Sequence, residues 1–194
     1  MTSDAGKKQD GEWLNKLLAG DHKAFAEFVE KYKETVFLCC RTLGLKEDEA
    51  EDVASETFLA AYNGLSRYRG QAQLSTWLWK IAYYKGVSFI RKKGCRAELF
   101  TEFEGRCADE KNGRLKMETE DQEEADVVWG AVRRLPKLWA VVIVLFYREG
   151  KSIKEIAKIM RVRQNTIKTY LFRARKKLKE LLGNIHREDI DVSG

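Results

Sequence analysis

Apolar residues recur at helical spacing along most of this chain, and that periodicity constrains its fold more than any other feature. Residues about one or two turns apart share one side of an α-helix, and an apolar side packs against other helices. The sequence contains a single proline, so little interrupts the helices. We predict an all-α protein. The first long stripe, which ends at Gly44, consists of Phe25, Phe28, Val29, Tyr32, Val36, Cys40 and Leu43.

Two further stretches continue this pattern. Asp21 and Asp48 are predicted to cap the helices that follow them, because a carboxylate accepts hydrogen bonds from the free amides of a first turn. A turn over 66–73 leads into a helix predicted from 75 to 93. The inward side of the helix after Asp48 is predicted to comprise Val53, Ala54, Thr57, Phe58, Ala61 and Leu65.

An acidic stretch divides the chain. Residues 98–126 include eleven acids against four bases, and helical periodicity fades there, which indicates a flexible linker. Within the part that follows, the apolar segment 138–146 predicts a buried core helix, with a buried strand as the alternative. The predicted organisation is a disordered tail at 1–11, a helical domain at 12–94, the acidic linker at 95–126, a second helical domain at 127–182 and a tail at 183–194.

The second domain contains the pattern of a helix-turn-helix. Ser152 and Glu155 have the spacing of a capping box, which marks the start of a helix. A short break follows at 161–163; such turns often contain glycine, but this one has Arg161. The apolar stripe of the helix after the break consists of Ile167, Leu171, Ala174, Leu178 and Leu181.

The opposite side of that last helix carries amides, hydroxyls, cations and one phenylalanine. From Arg161 to Lys179 there are eight Lys or Arg residues and no acid. Asn, Arg and Lys hydrogen-bond base edges in a major groove, and a Phe ring contacts a thymine methyl. We interpret the helix as a DNA-binding element; a solvated basic face on a structural helix pair is the alternative. The outward residues are Asn165, Thr166, Lys168, Thr169, Phe172, Arg173 and Lys176.

Aromatic and basic residues are interleaved over 67–93, which indicates a second nucleic-acid surface. Trp79, Tyr83 and Tyr84 cannot all fit the apolar stripe of this segment, so we expect exposed rings among them. Exposed rings beside cations stack on unpaired bases. The alternative is that these rings pack inside a small helical core. The residues assigned to the core by spacing are Leu74, Trp77, Leu78, Ile81 and Phe89.

Composition limits the other classes of function. A net charge of +6 and a pI near 9.1 suit an anionic partner. No two cysteines have C-x-x-C spacing, which predicts buried thiols and no zinc site, and the acids at 47–56 favour a solvated or partner-binding face over a metal site. Because no catalytic motif, secretory signal or membrane-length apolar run is present, we expect a cytoplasmic protein that is not an enzyme and needs no cofactor. The cysteines are Cys39, Cys40, Cys95 and Cys107.

Three segments together resemble the sigma-70 family of bacterial transcription initiation factors, specifically the extracytoplasmic-function (ECF) group. They are DEAEDVASETFLAAYNGL at 48–65, YRGQAQLSTWLWKIA at 68–82, and the block from Leu135 through the helix-turn-helix. The resemblance spans residues 22–182 and implies a region 2 helical bundle followed by a region 4 helix-turn-helix. It implies a factor that binds RNA polymerase core, recognises a promoter and begins to melt it.

The resemblance also implies roles for particular residues. Asp52, Ser55 and Glu56 would bind the clamp coiled coil of the largest polymerase subunit, and the polymerase flap of the second subunit would be a further contact. The outward residues of the helix-turn-helix would contact the minus-35 element, and the acidic linker would follow the RNA path of the polymerase. The minus-10 element would be contacted by Tyr68, Arg69, Gly70, Gln73, Lys80, Tyr84 and Lys85.

One further partner is implied by the resemblance, an anti-sigma factor, often membrane-anchored, that covers the polymerase-binding and DNA-binding faces. Three other interpretations compete. A helix-turn-helix regulator leaves the segment 67–93 without a role, and an enzyme such as a nuclease lacks a catalytic constellation. A sigma-like mimic that sequesters an anti-sigma factor has no need of Arg173 and Lys176.

Overall fold

The computed structural model describes residues 16–70, 72–94 and 122–191, with side chains described over 127–183 in the last range. Every regular element in these residues is helical, which confirms the predicted all-α class. Packing separates two compact units, one built from the first three α-helices and the other from the last four. In chain order the elements are α1 (His22–Thr42), α2 (Glu47–Gly64), a 3₁₀ turn (Leu65–Arg67), α3 (Leu74–Lys92), α4 (Gln122–Arg133), α5 (Lys137–Ile143), a π-helical turn (Val144–Arg148), α6 (Ile153–Met160) and α7 (Gln164–Asp191).

Some predictions lie wholly or partly outside the described residues. The predicted tail at 1–11 lies outside them, as do Cys95, Cys107 and the linker up to residue 121. In the described part, two predicted boundaries differ: α4 already begins at Gln122, inside the predicted linker, and α7 continues to Asp191, past residue 182, where the second helical domain was predicted to end.

The N-termini of α1 and α2 are capped differently. Asp21 Oδ1 accepts hydrogen bonds from Lys23 N at 2.9 Å and Ala24 N at 3.2 Å, as the sequence predicts. The prediction that Asp48 caps α2 is wrong, because the helix already begins at Glu47. There Glu49 reaches back and accepts a hydrogen bond from Lys46 N at 3.0 Å. Asp48 lies inside the first turn, where its negative charge interacts favourably with the partial positive charge of the helix N-terminus.

Phe28 lies in the middle of an aromatic cluster in the first unit. Its fully buried ring meets Tyr32 at 5.0 Å and Phe58 edge-on at 6.2 Å between centroids. Aromatic pairs at such separations stabilise a core beyond the area they bury. The predicted inward residues of α2 are all buried, and the Thr57 hydroxyl donates to Val53 O at 2.6 Å. The helical stripes predicted for α1 and α2 therefore form this core.

The side of α3 that faces the core differs from the predicted one. Trp79 is fully buried and Tyr83 nearly so, so the alternative of packing inside the core holds for both rings and neither is exposed for base stacking. Trp77, Ile81 and Phe89, assigned to the core, are only half-buried. Burying the two large rings removes more apolar surface from water, which decides the rotation of the helix. The buried residues of α3 are Leu74, Thr76, Leu78, Trp79, Ala82, Tyr83, Gly86, Val87 and Ile90.

α5 forms the core of the second unit. Its segment is helical, and the alternative of a buried strand is therefore wrong. Pro136 precedes the helix, where its missing N–H would have no helical partner in any case. After Ile143 the helix widens into the π-helical turn, and Lys151 N donates to Leu145 O at 2.9 Å beyond it. The buried residues of α5 are Leu138, Ala140, Val141, Val142 and Ile143.

α7 packs against α4, α5 and α6. Its predicted stripe is the contact face: Ile167 and Ala174 are fully buried, Leu171 is nearly so, and Leu178 and Leu181 are half-buried. Because successive residues of a helix advance by about 100° around its axis, burying this stripe sets which residues point outward. The core of the second unit therefore orients the opposite side of α7 toward solvent.

Replacing Trp79 with alanine tests the burial of α3. We expect Trp79→Ala to lower the free energy of unfolding by about 3–5 kcal/mol, because it removes a fully buried ring and leaves a cavity. Chemical denaturation followed by circular dichroism measures this change. The matched control is Phe172→Ala, which truncates a ring that is 69% exposed and should change stability by less than about 0.5 kcal/mol. Equal effects for the two variants would contradict the assignment of Trp79 to the core.

Candidate nucleic-acid interface

A reciprocal capping box fixes the start of α6. The Ser152 hydroxyl accepts a hydrogen bond from Glu155 N at 3.3 Å and donates one to Glu155 Oε2 at 2.6 Å. Ser152 N donates to the same carboxylate oxygen at 2.9 Å. The hydrogen bond from the Ser152 hydroxyl, followed by that from its backbone N–H, lowers the pKa of Glu155 from its ordinary value. The capping box predicted from the sequence is therefore present and charged at neutral pH.

The turn between α6 and α7 depends on a left-handed residue. Arg161 has φ 53° and ψ 46°, and it is the one non-glycine residue with positive φ among those described. Arg161 N and Val162 N both donate to Ala157 O, which satisfies a carbonyl at the end of α6 and reverses the chain into α7. A residue with a Cβ is strained in this conformation by about 1–2 kcal/mol. The structure thus keeps the geometry of a glycine turn with an arginine in it.

The residues predicted to contact minus-35 bases lie together on the outer side of α7. Thr166 is half-buried, and the other six are exposed, including the Phe172 ring at 69%. The Thr169 hydroxyl donates back to Asn165 O at 2.9 Å, so its donor is occupied in the absence of a ligand. An exposed surface of cations, an amide and an apolar ring matches the chemistry of base edges in a major groove.

A surface groove of about 560 Å³ adjoins this outer side of α7. It brings Asn165 next to three cations that sequence reasoning did not select: Lys154 and Lys158 on α6, and Arg163 in the turn. The spacing of Lys154 and Lys158 was an available signal in the sequence, because residues four apart share one side of a helix. The remaining lining residues are Ala157, Val162 and Gln164.

Arg175 belongs to the same basic run but has a structural role. Its Nε donates to Tyr147 Oη at 2.8 Å, and its guanidinium lies 5.6 Å from the ring centroids of both Phe146 and Tyr147. These contacts attach α7 to the π-helical turn. The charge of Arg175 is thereby directed away from the side of α7 that carries Arg173 and Lys176.

In the first unit, the loop before α3 holds four residues predicted for the minus-10 element. Tyr68 packs against Trp77 at 5.2 Å between ring centroids, and its hydroxyl donates to Ala72 O. Gln73 O accepts from Trp77 N at 3.0 Å. Arg69 and Gly70 are exposed, and Gly70 has φ 65°, a conformation that favours glycine. The loop is therefore held at both ends by Trp77 contacts while its tip faces solvent.

The structure joins two predicted sites of the first unit. Lys80, Tyr84 and Lys85 on α3 are half-buried, and Tyr84 meets Tyr83 edge-on. Lys85 Nζ lies 2.9 Å from Glu56 Oε2, so a residue predicted to bind DNA pairs with one predicted to bind polymerase. The neighbouring sites on α2 and α3 therefore share one surface.

On α2, Leu59 extends the predicted polymerase-binding face. Asp52, Ser55 and Glu56 are all exposed, and Leu59, one turn further, is 62% exposed. Sequence reasoning missed Leu59 as a surface residue, although its position outside the inward stripe of α2 was the available signal.

The described residues hold no group of three or more His, Cys, Asp and Glu that could bind a metal ion. Cys39 and Cys40 are both fully buried, and burial raises the pKa of the Cys40 thiol to about 12. Within the described part of the chain, no helix is long and apolar enough to span a bilayer.

Comparison with known proteins agrees with these surfaces. The family description for Sigma-70 region 2 matches residues 28–95, and that for Sigma-70, region 4 matches residues 126–178. The ECF RNA polymerase sigma factor SigW of Bacillus subtilis is 31% identical over 180 residues, which cover 89% of this chain and 96% of SigW. The RNA polymerase sigma-H factor of Pseudomonas aeruginosa is 30% identical over 191 residues, covering 94% and 98%.

Two solved structures share the fold. One is the sigma factor RpoE in complex with the anti-sigma factor NepR from Bartonella quintana, with a TM-score of 0.60, 23% identity and coverage of 83% of this chain and 98% of that one. The other is CnrH in complex with the cytosolic domain of CnrY, with a TM-score of 0.55, 21% identity and coverage of 90% and 97%.

Fold, surfaces and relatives define a promoter-recognising transcription initiation factor built from two helical units. The chain belongs to the ECF group of the sigma-70 family of RNA polymerase sigma factors. It binds RNA polymerase core, recognises promoter elements and initiates transcription. The alternatives of a simple regulator and a mimic are not favoured, because both DNA-binding regions of the family match this chain.

The capping box of α6 predicts a pH-dependent contribution to stability. We expect Ser152→Ala to lower the free energy of unfolding at pH 7 by about 1 kcal/mol. The pKa of Glu155 is lower in the folded state, so its contribution is present above the ordinary carboxyl pKa of about 4.3 and is lost as pH falls through the folded pKa.

The measurement is urea denaturation of wild type and Ser152→Ala at pH 7 and below pH 4, where the difference between them should shrink. Ser88→Ala, an exposed serine within α3, is the control and should leave stability nearly unchanged. A difference that stays constant across this pH range would show that the Glu155 carboxylate does not take part.

Proposed function

We propose that three exposed surfaces of this sigma factor each bind a different partner or promoter element. The outer side of α2 binds the clamp coiled coil of polymerase, the loop before α3 contacts the non-template strand of the minus-10 element, and the outer side of α7 contacts the minus-35 element. The observation that carries this assignment is the outer side of α7 from Asn165 to Lys176, where exposed cations, Asn165 and Phe172 lie together with no acid among them. Such a surface suits DNA, which offers anionic phosphates and the hydrogen-bonding edges of its bases.

The minus-35 contact follows from helix geometry. A major groove about 12 Å wide admits one α-helix, whose outward residues then lie against base edges. Arg173 is suited to guanine and Asn165 to adenine, while Phe172 is suited to a thymine methyl. The proposed contacts are Asn165, Thr166, Lys168, Thr169, Phe172, Arg173 and Lys176.

The minus-10 contact rests on the exposed tip of the loop. Arg69 and Gly70 face solvent, and the positive φ of Gly70 leaves the backbone open to a flipped base. With Trp79 and Tyr83 inside the core, the half-buried rings of Tyr68 and Tyr84 remain as stacking surfaces. The proposed contacts are Tyr68, Arg69, Gly70, Gln73, Lys80, Tyr84 and Lys85.

The polymerase contact combines charge and apolar area. Asp52, Ser55 and Glu56 present acids and a hydroxyl, and Leu59 adds an exposed apolar side chain next to them. An apolar anchor inside a polar rim is the usual composition of a protein interface. The negative charge also repels DNA from this face.

Around these surfaces we propose that region 2 occupies 12–94 and that region 4 begins with α4 at Gln122 and includes α7. The acidic linker between them would follow the RNA path of the polymerase, where its eight acids at 98–121 supply the negative charge of a nascent transcript. The flap of the second polymerase subunit would contact region 4.

Inhibition by an anti-sigma factor is also proposed. The RpoE structure is a complex with the anti-sigma factor NepR, and the CnrH structure is a complex with the cytosolic domain of CnrY. A protein that covers the outer sides of α2 and α7 would block polymerase and DNA together. Its binding should therefore compete with polymerase core.

Variants that remove DNA binding by α7 and polymerase binding by α2 separately test the assignment of these two surfaces. In transcription with purified bacterial core polymerase and a pool of promoter fragments, the wild-type chain should produce new start sites. Arg173→Ala with Lys176→Ala should lose at least about 90% of this activity, since each lost base contact costs about 1–3 kcal/mol, yet it should still co-elute with core. Asp52→Arg with Leu59→Ala should instead abolish co-elution.

The matched control removes two exposed lysines elsewhere, Lys16→Ala with Lys23→Ala, and should transcribe like wild type. Start sites that persist in the Arg173→Ala, Lys176→Ala variant would show that α7 does not contact the minus-35 element.

The ion pair between Lys85 and Glu56 yields a further prediction. The side chains are 37% and 59% exposed, so the pair contributes about 0–1 kcal/mol to stability. Lys85→Ala should therefore keep its melting temperature but reduce promoter melting several-fold, measured by permanganate reactivity of the minus-10 thymines. Lys85→Arg keeps the charge and should retain melting; equal melting by Lys85→Ala would remove Lys85 from the DNA contacts.

A further inference from the structure

The ring of Trp77 lies against both the end of α2 and the loop before α3. A methyl group at Gly64, the last residue of α2, would lie 3.2 Å from Trp77 Cζ2 and 3.7 Å from Trp77 Cη2. Carbon atoms attract each other best at about 3.5–4.0 Å, so a side chain at this position would press on the indole. Glycine therefore lets the ring of Trp77 lie close to the backbone of α2.

The backbone at Gly64 does not require glycine. Its φ is −94° and its ψ is −10°, a conformation that residues with side chains also adopt. Glycine loses more conformational freedom on folding than alanine does, so it weakens the end of the helix. The close approach of Trp77 is the feature of the structure that accounts for a missing side chain here.

Trp77 also contacts Tyr68, the residue that closes the loop. The two ring centroids are 5.2 Å apart, and the ring planes are inclined by 49°. The Tyr68 hydroxyl donates a hydrogen bond to Ala72 O on the other side of the loop. Tyr68 thereby spans the loop, with the exposed Arg69 and Gly70 at its tip.

Trp77 can make room for a side chain at residue 64 only by turning its ring. The backbone of α3 is fixed on either side of Trp77 by Leu74 and Leu78, which are both fully buried. Because the Tyr68 ring packs against the indole, a turned indole displaces Tyr68 and the loop tip with it. The close approach of Gly64 and Trp77 therefore links the end of α2 to the position of the loop.

We propose that Gly64 is a positioning residue for promoter melting, because its missing side chain lets Trp77 hold Tyr68 and the loop tip where they engage the minus-10 element. This inference rests on the proposed function of that loop. Gly64 acts through the indole and needs no contact with DNA of its own. A misplacement of about 1 Å can slow a reaction about 100-fold, so a shift of a few tenths of an ångström should reduce melting several-fold.

The experiment measures permanganate reactivity of the minus-10 thymines in polymerase holoenzyme at saturating promoter, and the melting temperature of each full-length chain. Gly64→Ala should reduce this reactivity about three- to tenfold. Its melting temperature should change by less than about 4 °C, because alanine strengthens the helix while its methyl group crowds Trp77. Its co-elution with core polymerase should equal that of wild type.

Trp77→Phe distinguishes positioning from a general loss of stability. Phenylalanine lacks the indole atoms Cζ2 and Cη2 that approach Gly64, so it leaves room for a methyl group. Gly64→Ala should therefore have little effect on promoter melting in the Trp77→Phe background, whatever effect Trp77→Phe has alone. Equal losses from Gly64→Ala in both backgrounds would show that the glycine acts without Trp77, which overturns the proposal.

Gly130→Ala is the matched control for adding a methyl group to a helix. Gly130 is half-buried in α4, as Gly64 is in α2, and a methyl group there would lie 3.9 Å from Arg133 Nη2, an ordinary contact distance. This variant should melt the promoter like wild type. If Gly64→Ala also reaches the permanganate reactivity of wild type, the positioning role is disproved.

Replacing the loop residues themselves separates this proposal from the minus-10 assignment. The variant is Tyr68→Ala with Arg69→Ala. Loss of promoter melting in this variant with normal melting in Gly64→Ala would reject the positioning role alone. Normal melting in both would reject the minus-10 role of the loop as well.

Discussion

The apolar stripe of α7 is the contact on which the DNA-binding unit depends. Ile167, Leu171 and Ala174 are buried against helices of the same unit, and this burial sets the rotation of α7 about its axis. Arg175 adds a second restraint through Tyr147 on the π-helical turn. With the rotation fixed from the inside, Arg173 and Lys176 point outward and are exposed to solvent. Core packing therefore positions the side chains that the outer side of α7 offers to DNA.

A similar arrangement supports the loop of the first unit. Trp79 and Tyr83 anchor α3 in the core, and Trp77, on the adjacent side of that helix, packs against Tyr68. The two rings that leave the surface thus stabilise the helix whose start holds the loop. In the proposed function, these two buried rings act on promoter melting only through the position that they give to Arg69 and Gly70.

The sequence predicted the features that depend on periodicity and local hydrogen bonding. The stripes of α1, α2 and α7, the Asp21 cap and the capping box of Ser152 follow from spacing alone, because each needs only neighbours within two turns. The apolar stripe predicted for α3 was wrong because Trp and Tyr side chains combine a large apolar ring with a polar group. Either burial or exposure is possible for them, and tertiary packing decides which of them are buried. Asp48 failed as a cap because the helix begins one residue before it, at Glu47, which places Asp48 inside the first turn.

Contacts between helices that are distant in the sequence could not be predicted from residue spacing. The pairing of Glu56 with Lys85 joins α2 to α3, and no local pattern specifies it. The groove beside Asn165 forms only when α6 and α7 meet at the turn, and its shape depends on the left-handed backbone at residue 161. The sequence supplied the cations, but the fold determines that Lys154, Lys158 and Arg163 border the same groove as a base-contacting residue.

The distribution of charge explains how one small protein can bind two very different partners. Acids on the outer side of α2 and cations on the outer side of α7 differ in sign, so each surface disfavours the partner of the other. Leu59 gives the acidic surface an apolar contact that DNA cannot satisfy, while Asn165 and Phe172 give the basic surface contacts that require base edges. Charge thus selects the class of partner at long range, and the uncharged side chains among the charges select the particular site.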